Sequence, residues 1–143
     1  MKKLTFTFAI IIISMFISNA QEVGIRLGNV TGGDAAVDVI FSTGKYHRLH
    51  GDVSFGYGLG VDLLWDFLYR PLGDDGVNWY VGAGPYTFLG EPLHLGAVGE
   101  IGLEYTFSEI PICLGADWRP NFRLLEETEL GTGGFGVNIR WVF

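Results

Sequence analysis

From Leu49 to Arg70 the chain reads LHGDVSFGYGLGVDLLWDFLYR. Its odd positions are Leu49, Gly51, Val53, Phe55, Tyr57, Leu59, Val61, Leu63, Trp65, Phe67 and Tyr69, while the even ones include His50, Asp52, Ser54, Gly56, Gly58, Gly60, Asp62, Asp66 and Arg70. Successive side chains of an extended chain point to opposite sides, so this period of two is a strand signal with one apolar face and one small or charged face. The parity does not swap along the run. A two-residue hairpin would swap it, whereas a three-residue loop pairs residue i with i+4 and keeps it, which places a hairpin loop at Gly58-Leu59-Gly60.

The same alternation returns in Val77, Trp79, Val81 and Ala83, and again in Leu93, Leu95, Ala97, Ile101, Leu103, Tyr105 and Phe107 opposite His94, Glu100 and Glu104. It continues in Ile112, Leu114, Ala116, Trp118 and Phe122 opposite Cys113, Gly115, Asp117, Arg119, Asn121 and Arg123, and closes in Phe135, Val137, Ile139, Trp141 and Phe143. Turn residues at 42–45, 72–76 and 108–111 punctuate it, and Glu126 to Gly131 is the longest polar connection. Eight strands follow, at 22–29, 34–42, 46–57, 60–70, 77–89, 93–107, 111–124 and 133–143. Pro85 and Pro120 fall on the apolar parity, where each removes a ladder hydrogen bond and marks a bulge or a strand end.

Composition agrees with a β protein of one domain. Of 143 residues, 48% are hydrophobic, 15% aromatic and only 17% charged, which excludes a disordered tail; the 22 glycines argue against a helical bundle. The formal charge of -7, with nine Lys and Arg in all, disfavours nucleic acid as a partner. One cysteine closes no intrachain disulfide and supplies no zinc site, and Cys113 reads as a small buried residue. No metal or cofactor is expected.

Residues 1–20 read as an address. Lys2 and Lys3 precede an uncharged run from Leu4 to Ile17, and Ser18-Asn19-Ala20 has small residues at its first and third places, the pattern of a secretory signal peptide cleaved before Gln21. Residues 21–143 are then the exported barrel domain. Cleavage removes two lysines and no acid, so that domain is more acidic than the whole chain.

In a water-soluble β protein the apolar face turns inward; in a membrane barrel it turns outward. Three features favour the second arrangement. The apolar set carries Trp65, Phe67, Tyr69, Trp79, Tyr105, Phe107 and Trp141 near strand ends, which suits an interfacial aromatic girdle. The opposite set mixes glycine with Arg26, Asp62, Asp66, Glu100, Glu104, Asp117, Arg119 and Arg140, and an eight-stranded barrel has an interior just wide enough to be filled by such side chains. The last strand ends on an aromatic in outward register. An even antiparallel count closes without a bare edge, and about 9 to 11 residues per strand suffice to span a bilayer. The expected fold is therefore an all-β, eight-stranded antiparallel up-and-down transmembrane β-barrel.

The signal peptide, the glycine and aromatic alternation and the terminal Asn138-Ile139-Arg140-Trp141-Val142-Phe143 resemble small outer-membrane β-barrel proteins of Gram-negative bacteria. The segments 60–70 (GVDLLWDFLYR), 78–86 (NWYVGAGPY) and 115–120 (GADWRP) resemble in particular a largely uncharacterised group from Bacteroidetes-type bacteria. The resemblance implies a monomer in the outer membrane, contacts with outer-membrane lipid, and an assembly signal at Ile139, Trp141 and Phe143 read by the barrel-assembly machinery during insertion. Loops are short here, so the resemblance does not extend to adhesion or receptor roles.

The inner charges read as a salt-bridge network in place of an apolar core, with Arg119 set against Asp117 and Glu104, and Arg140 against Glu100 or Asp66. The competing reading is a proton or ion path. His47, His50 and His94 invite an enzyme reading, and Ser54 shares a face with His50, but four positions along one strand span about 13 Å, beyond the reach of a nucleophile and its base. The leading expectation is a structural or small-solute-related outer-membrane protein without catalytic activity. A secreted or periplasmic lipocalin-like barrel around an apolar ligand is the first alternative, and an outer-membrane lipid-modifying enzyme the second.

Overall fold

The computed structural model describes residues 21–125 and 127–143; the expected signal peptide lies outside the described residues. No helix occurs among them. Ten strand segments follow one another: β1 (Glu22–Val30), β2 (Gly33–Ser42), β3 (Arg48–Gly56), β4 (Leu59–Pro71), β5 (Val77–Leu89), β6 (His94–Thr106), β7 (Ile112–Trp118), β8 (Asn121–Arg123), β9 (Glu129–Gly131) and β10 (Phe135–Val142). All pairings are antiparallel; β1 joins β10, and β5 joins both β4 and β6, so the sheet closes on itself. It is an eight-stranded barrel, because β7 and β8 are consecutive parts of one wall strand that both pair with β6, and β9 and β10 are consecutive parts of the next, paired with β8 and β7.

The break between β7 and β8 falls at Arg119-Pro120. Proline offers no N–H to the ladder, and the chain is held across the break by Arg119 N donating to Gly134 O and Gly99 N donating to Pro120 O, both at 2.9 Å. By contrast β5 runs through Pro85 in unbroken register with β6. The segment read as a polar connection contains β9, which pairs with β8.

The hairpin inside the long alternation is a three-residue loop, two residues upstream of its expected place. Phe55 pairs with Leu59, so the loop is Gly56-Tyr57-Gly58, and i pairs with i+4 as the constant parity demands. The β4–β5 turn carries Gly73 and Gly76 at φ of 80° and 78°, where a Cβ is strained. Elsewhere glycine lets walls and contents approach. A Cβ at Gly84 would lie 1.8 Å from Leu63 O, and one at Gly136 2.5 Å from the Arg26 guanidinium carbon.

The apolar parity faces out. Trp65 and Phe67 are each 56% exposed and Trp141 52%, while Arg26, Asp38, His50 and Asp66 are fully buried. Trp79, Tyr105 and Phe107 lie on the same outer face, less exposed. With Trp65, Phe67 and Trp141 they gather at the end that carries the described termini and the turns after β2, β4 and β6. Ile139 and Phe143 also face outward, at 44% and 76% exposure.

Tyr69 is the exception. The register slips between Asp66 and Leu68, so β4 carries one extra residue at Phe67 and its parity flips beyond it. Tyr69 thereby sits opposite the fully buried Tyr80, inside the barrel and not in the outer aromatic band. The guanidinium carbon of Arg48 lies 4.4 Å from the centre of its ring and 4.6 Å from that of Tyr80.

Candidate functional site

The interior is the chemically dense part of the molecule. All eight residues expected in a polar network, Arg26, Asp62, Asp66, Glu100, Glu104, Asp117, Arg119 and Arg140, are buried there. Asp38, Arg48, His50, Asp52 and Asn138 are buried with them and were not in the expected set. The apolar share of the filling is small; Leu64, Tyr86 and Val98 form one cluster.

Near the termini, Arg140 donates from Nε to Glu22 at 2.7 Å and from Nη1 to Asp38 at 3.1 Å, and pairs through Nη2 with Glu104. Arg48 shares that carboxylate, reaching Glu104 with both terminal nitrogens at 2.9 and 3.0 Å, and donates from Nε to Asp66 at 2.6 Å. In the middle, His50 sits between two acids, Nε2 at 2.6 Å from Asp38 and Nδ1 at 3.1 Å from Glu100. Arg119 donates from Nε to the other Glu100 oxygen at 3.0 Å, pairs with Asp52, and approaches Asp117 at 3.6 Å. Toward the far mouth, Arg26 donates to both Asp117 oxygens at 2.5–3.1 Å and to the carbonyls of Asn29 and Gly134. Thr31 donates to Asp62 at 2.5 Å.

Most of these partners differ from the expected ones. Arg119 lies near Asp117 but binds Glu100 and Asp52 in place of Glu104, and Arg140 binds Glu104, Asp38 and Glu22 in place of Glu100 or Asp66. Strands of a closed barrel tilt and stagger, so residues that meet across the lumen are displaced along their strands by an amount that parity does not carry.

Two buried triads, Asp38–His50–Asp52 and His50–Asp66–Glu100, bring potential metal-ligating atoms within 4.8 Å of one another. The donor set fits a cation poorly, because positive charge is already there. Arg119 contacts Asp52, Glu100 and, at 3.1 Å, His50 Nε2, while Arg48 occupies an oxygen of Asp66. A metal would have to displace guanidinium groups whose neighbouring carboxylates would then lose their donors.

The other chemical candidates are placed apart. Ser54 Oγ accepts the Gly32 amide at 2.8 Å, while His50 is engaged by Asp38 and Glu100. His47 lies in an exposed turn, and His94 stands beside Phe88 at a ring distance of 5.4 Å. Cys113 is buried, with Arg140 Nη2 at 3.5 Å from its sulfur. A polar cavity of about 130 Å³ opens at the far mouth, lined among others by Asn29, Thr31, Asp62, His94 and Arg123.

No protein-family model, curated protein or solved structure matches this chain. The barrel combines an apolar coat and a lumen packed with ion pairs with a polar recess at one mouth.

Proposed function

We propose that the chain is an integral outer-membrane β-barrel protein, exported through a Sec-type signal peptide, that serves a structural or small-solute-related role without catalysis. One observation carries this reading: large apolar side chains cover the outer wall, while four arginines and seven carboxylates fill the interior. In water that arrangement is unfavourable on both counts, because burying charges costs several kcal/mol per ion while the apolar coat gains nothing. In a bilayer the coat is solvated by acyl chains, and a closed wall leaves no backbone group unpaired. A lipocalin-like barrel would need an apolar lumen, and the lumen here is charged.

Within this reading the aromatic residues at the terminus-bearing end lie at the headgroup level of one leaflet. Ile139, Trp141 and Phe143 form the segment read by the barrel-assembly machinery, the protein works as a monomer surrounded by lipid, and contact with small polar solutes is confined to the far-mouth recess. The test is cell fractionation combined with gel mobility. The protein is expected in the outer-membrane fraction and to migrate differently with and without boiling; recovery in the soluble periplasm without detergent refutes the proposal.

A further inference from the structure

Residues 21–143 contain seven lysines and arginines, and five are accounted for by two patterns. Arg26, Arg48, Arg119 and Arg140 are consumed in the lumen, and Arg123 faces Glu129 at 3.5 Å. The remaining two, Lys45 and Arg70, make no ion pair among the described residues, and they stand on the same aromatic ring. Arg70 Cζ lies 3.8 Å and Lys45 Nζ 5.2 Å from the centre of Tyr46.

This cluster is built into the wall. Tyr69 N donates to Tyr46 O at 2.9 Å, fastening the β2–β3 turn to β4. Thr43 holds the same turn from within, through its amide and its hydroxyl to His47 O at 3.2 and 3.1 Å. Aromatic residues flank it: His47 packs edge-on to Trp65 at 6.4 Å, and Arg70 pairs in register with Trp79. Asp74, Asp75 and Glu109 occupy neighbouring turns at this end, and none comes within ion-pair distance of either cation.

We propose that Lys45, Tyr46 and Arg70 form a binding site for the phosphate of an anionic phospholipid in the leaflet at the terminus-bearing end. This rests on the outer-membrane reading above. A guanidinium fork and an ammonium held on one ring offer a phosphate an oxygen-pair contact and a further donor, while the flanking Trp65 and Trp79 set the acyl chains against the apolar wall. A zwitterionic headgroup brings its own cation into the same space and gains less.

Two basic residues at a membrane surface favour an anionic lipid by about 1 kcal/mol each, or roughly thirtyfold together. Native mass spectrometry of the refolded protein, released from micelles doped with equal phosphatidylglycerol and phosphatidylcholine, reads this directly. The expected result is at least tenfold more phosphatidylglycerol bound, parity in the Lys45→Gln/Arg70→Gln variant, and an unchanged preference in Arg123→Gln. Inorganic phosphate at matched concentration is expected not to displace the lipid; displacement would mean a free-phosphate site and overturn the proposal. Equal binding of both lipids by the native protein overturns it, as does a preference that survives the double variant. Heat-dependent gel mobility is recorded on each sample. Its absence in the native protein refutes the membrane reading itself, whereas its presence without lipid preference refutes only this site.

Discussion

Replacing Arg119 by methionine keeps most of the side-chain length and removes the charge, which isolates its electrostatic role. The side chain is 3% exposed in a lumen sealed by the sheet, and it is the donor to Glu100 at 3.0 Å and to Asp52. Asp52 Oδ1 has no hydrogen-bond partner, so the substitution leaves that carboxylate without a strong donor on either oxygen. Removing one member of a buried ion pair costs about 3 to 5 kcal/mol, because the orphaned charge keeps its desolvation penalty and loses its compensation. Asp52 is orphaned outright and Glu100 is left with His50 alone, which places Arg119→Met at the upper part of that range. Adding Asp52→Asn and Glu100→Gln removes the stranded charges and is expected to restore most of the loss, even though three polar contacts are gone. Urea unfolding of protein folded into phospholipid vesicles, followed by tryptophan emission, measures each step. A loss below about 1 kcal/mol for Arg119→Met, or a triple variant no more stable than the single one, refutes the claim that these groups act as a mutually compensating network.

Ile101→Arg, at the middle of β6 on the outer face, is expected to cost about 2 to 4 kcal/mol in vesicles, where a water-soluble barrel would tolerate it; unfolding titrations in vesicles decide. Gly84→Val puts a side chain where a Cβ would already lie 1.8 Å from Leu63 O, so the folded, heat-modifiable gel band should be lost, while Gly73→Ala in the open turn at φ 80° costs only about 1 to 2 kcal/mol and keeps the band. Because paired side chains fill the lumen, planar bilayers should record no stable large conductance; a reproducible open channel in the purified protein would contradict a plugged interior.

The fold was legible because alternation is a local property. A strand with an apolar outer face and a charged lumen face must alternate, so parity alone sorts Asp62, Glu100, Asp117 and Arg140 inward and Trp65, Ile101 and Trp141 outward. Asp38 was harder to find: β2 reads GDAAVDVIFS, and its inward Ala36 and Ile40 are as apolar as its outward Val37 and Val39, so the charge lies in a strand without contrast. His50 and Asp52 carry the same inward parity as Ser54 and Asp62 within the opening stretch, and Arg48 extends it by two residues on the same strand.

What parity could not carry is any quantity that depends on two strands at once. The extra residue at Phe67 changes the face of Tyr69 while leaving the composition of β4 unchanged, since an aromatic suits either an interface or a guanidinium partner. Ion-pair partners depend on the stagger of the closed barrel, to which no single strand refers. Stagger decides that Arg140 meets Glu104 near the termini while Arg119 meets Glu100 in the middle, although both acids lie on one face of β6 four residues apart. Swapping them would put each arginine about 13 Å from its acid along the strand, with the lumen too narrow for either side chain to compensate. The network therefore holds the register as well as drawing on it: a slip of two residues keeps every side chain on its proper face and still breaks these pairs, which an apolar filling would have tolerated.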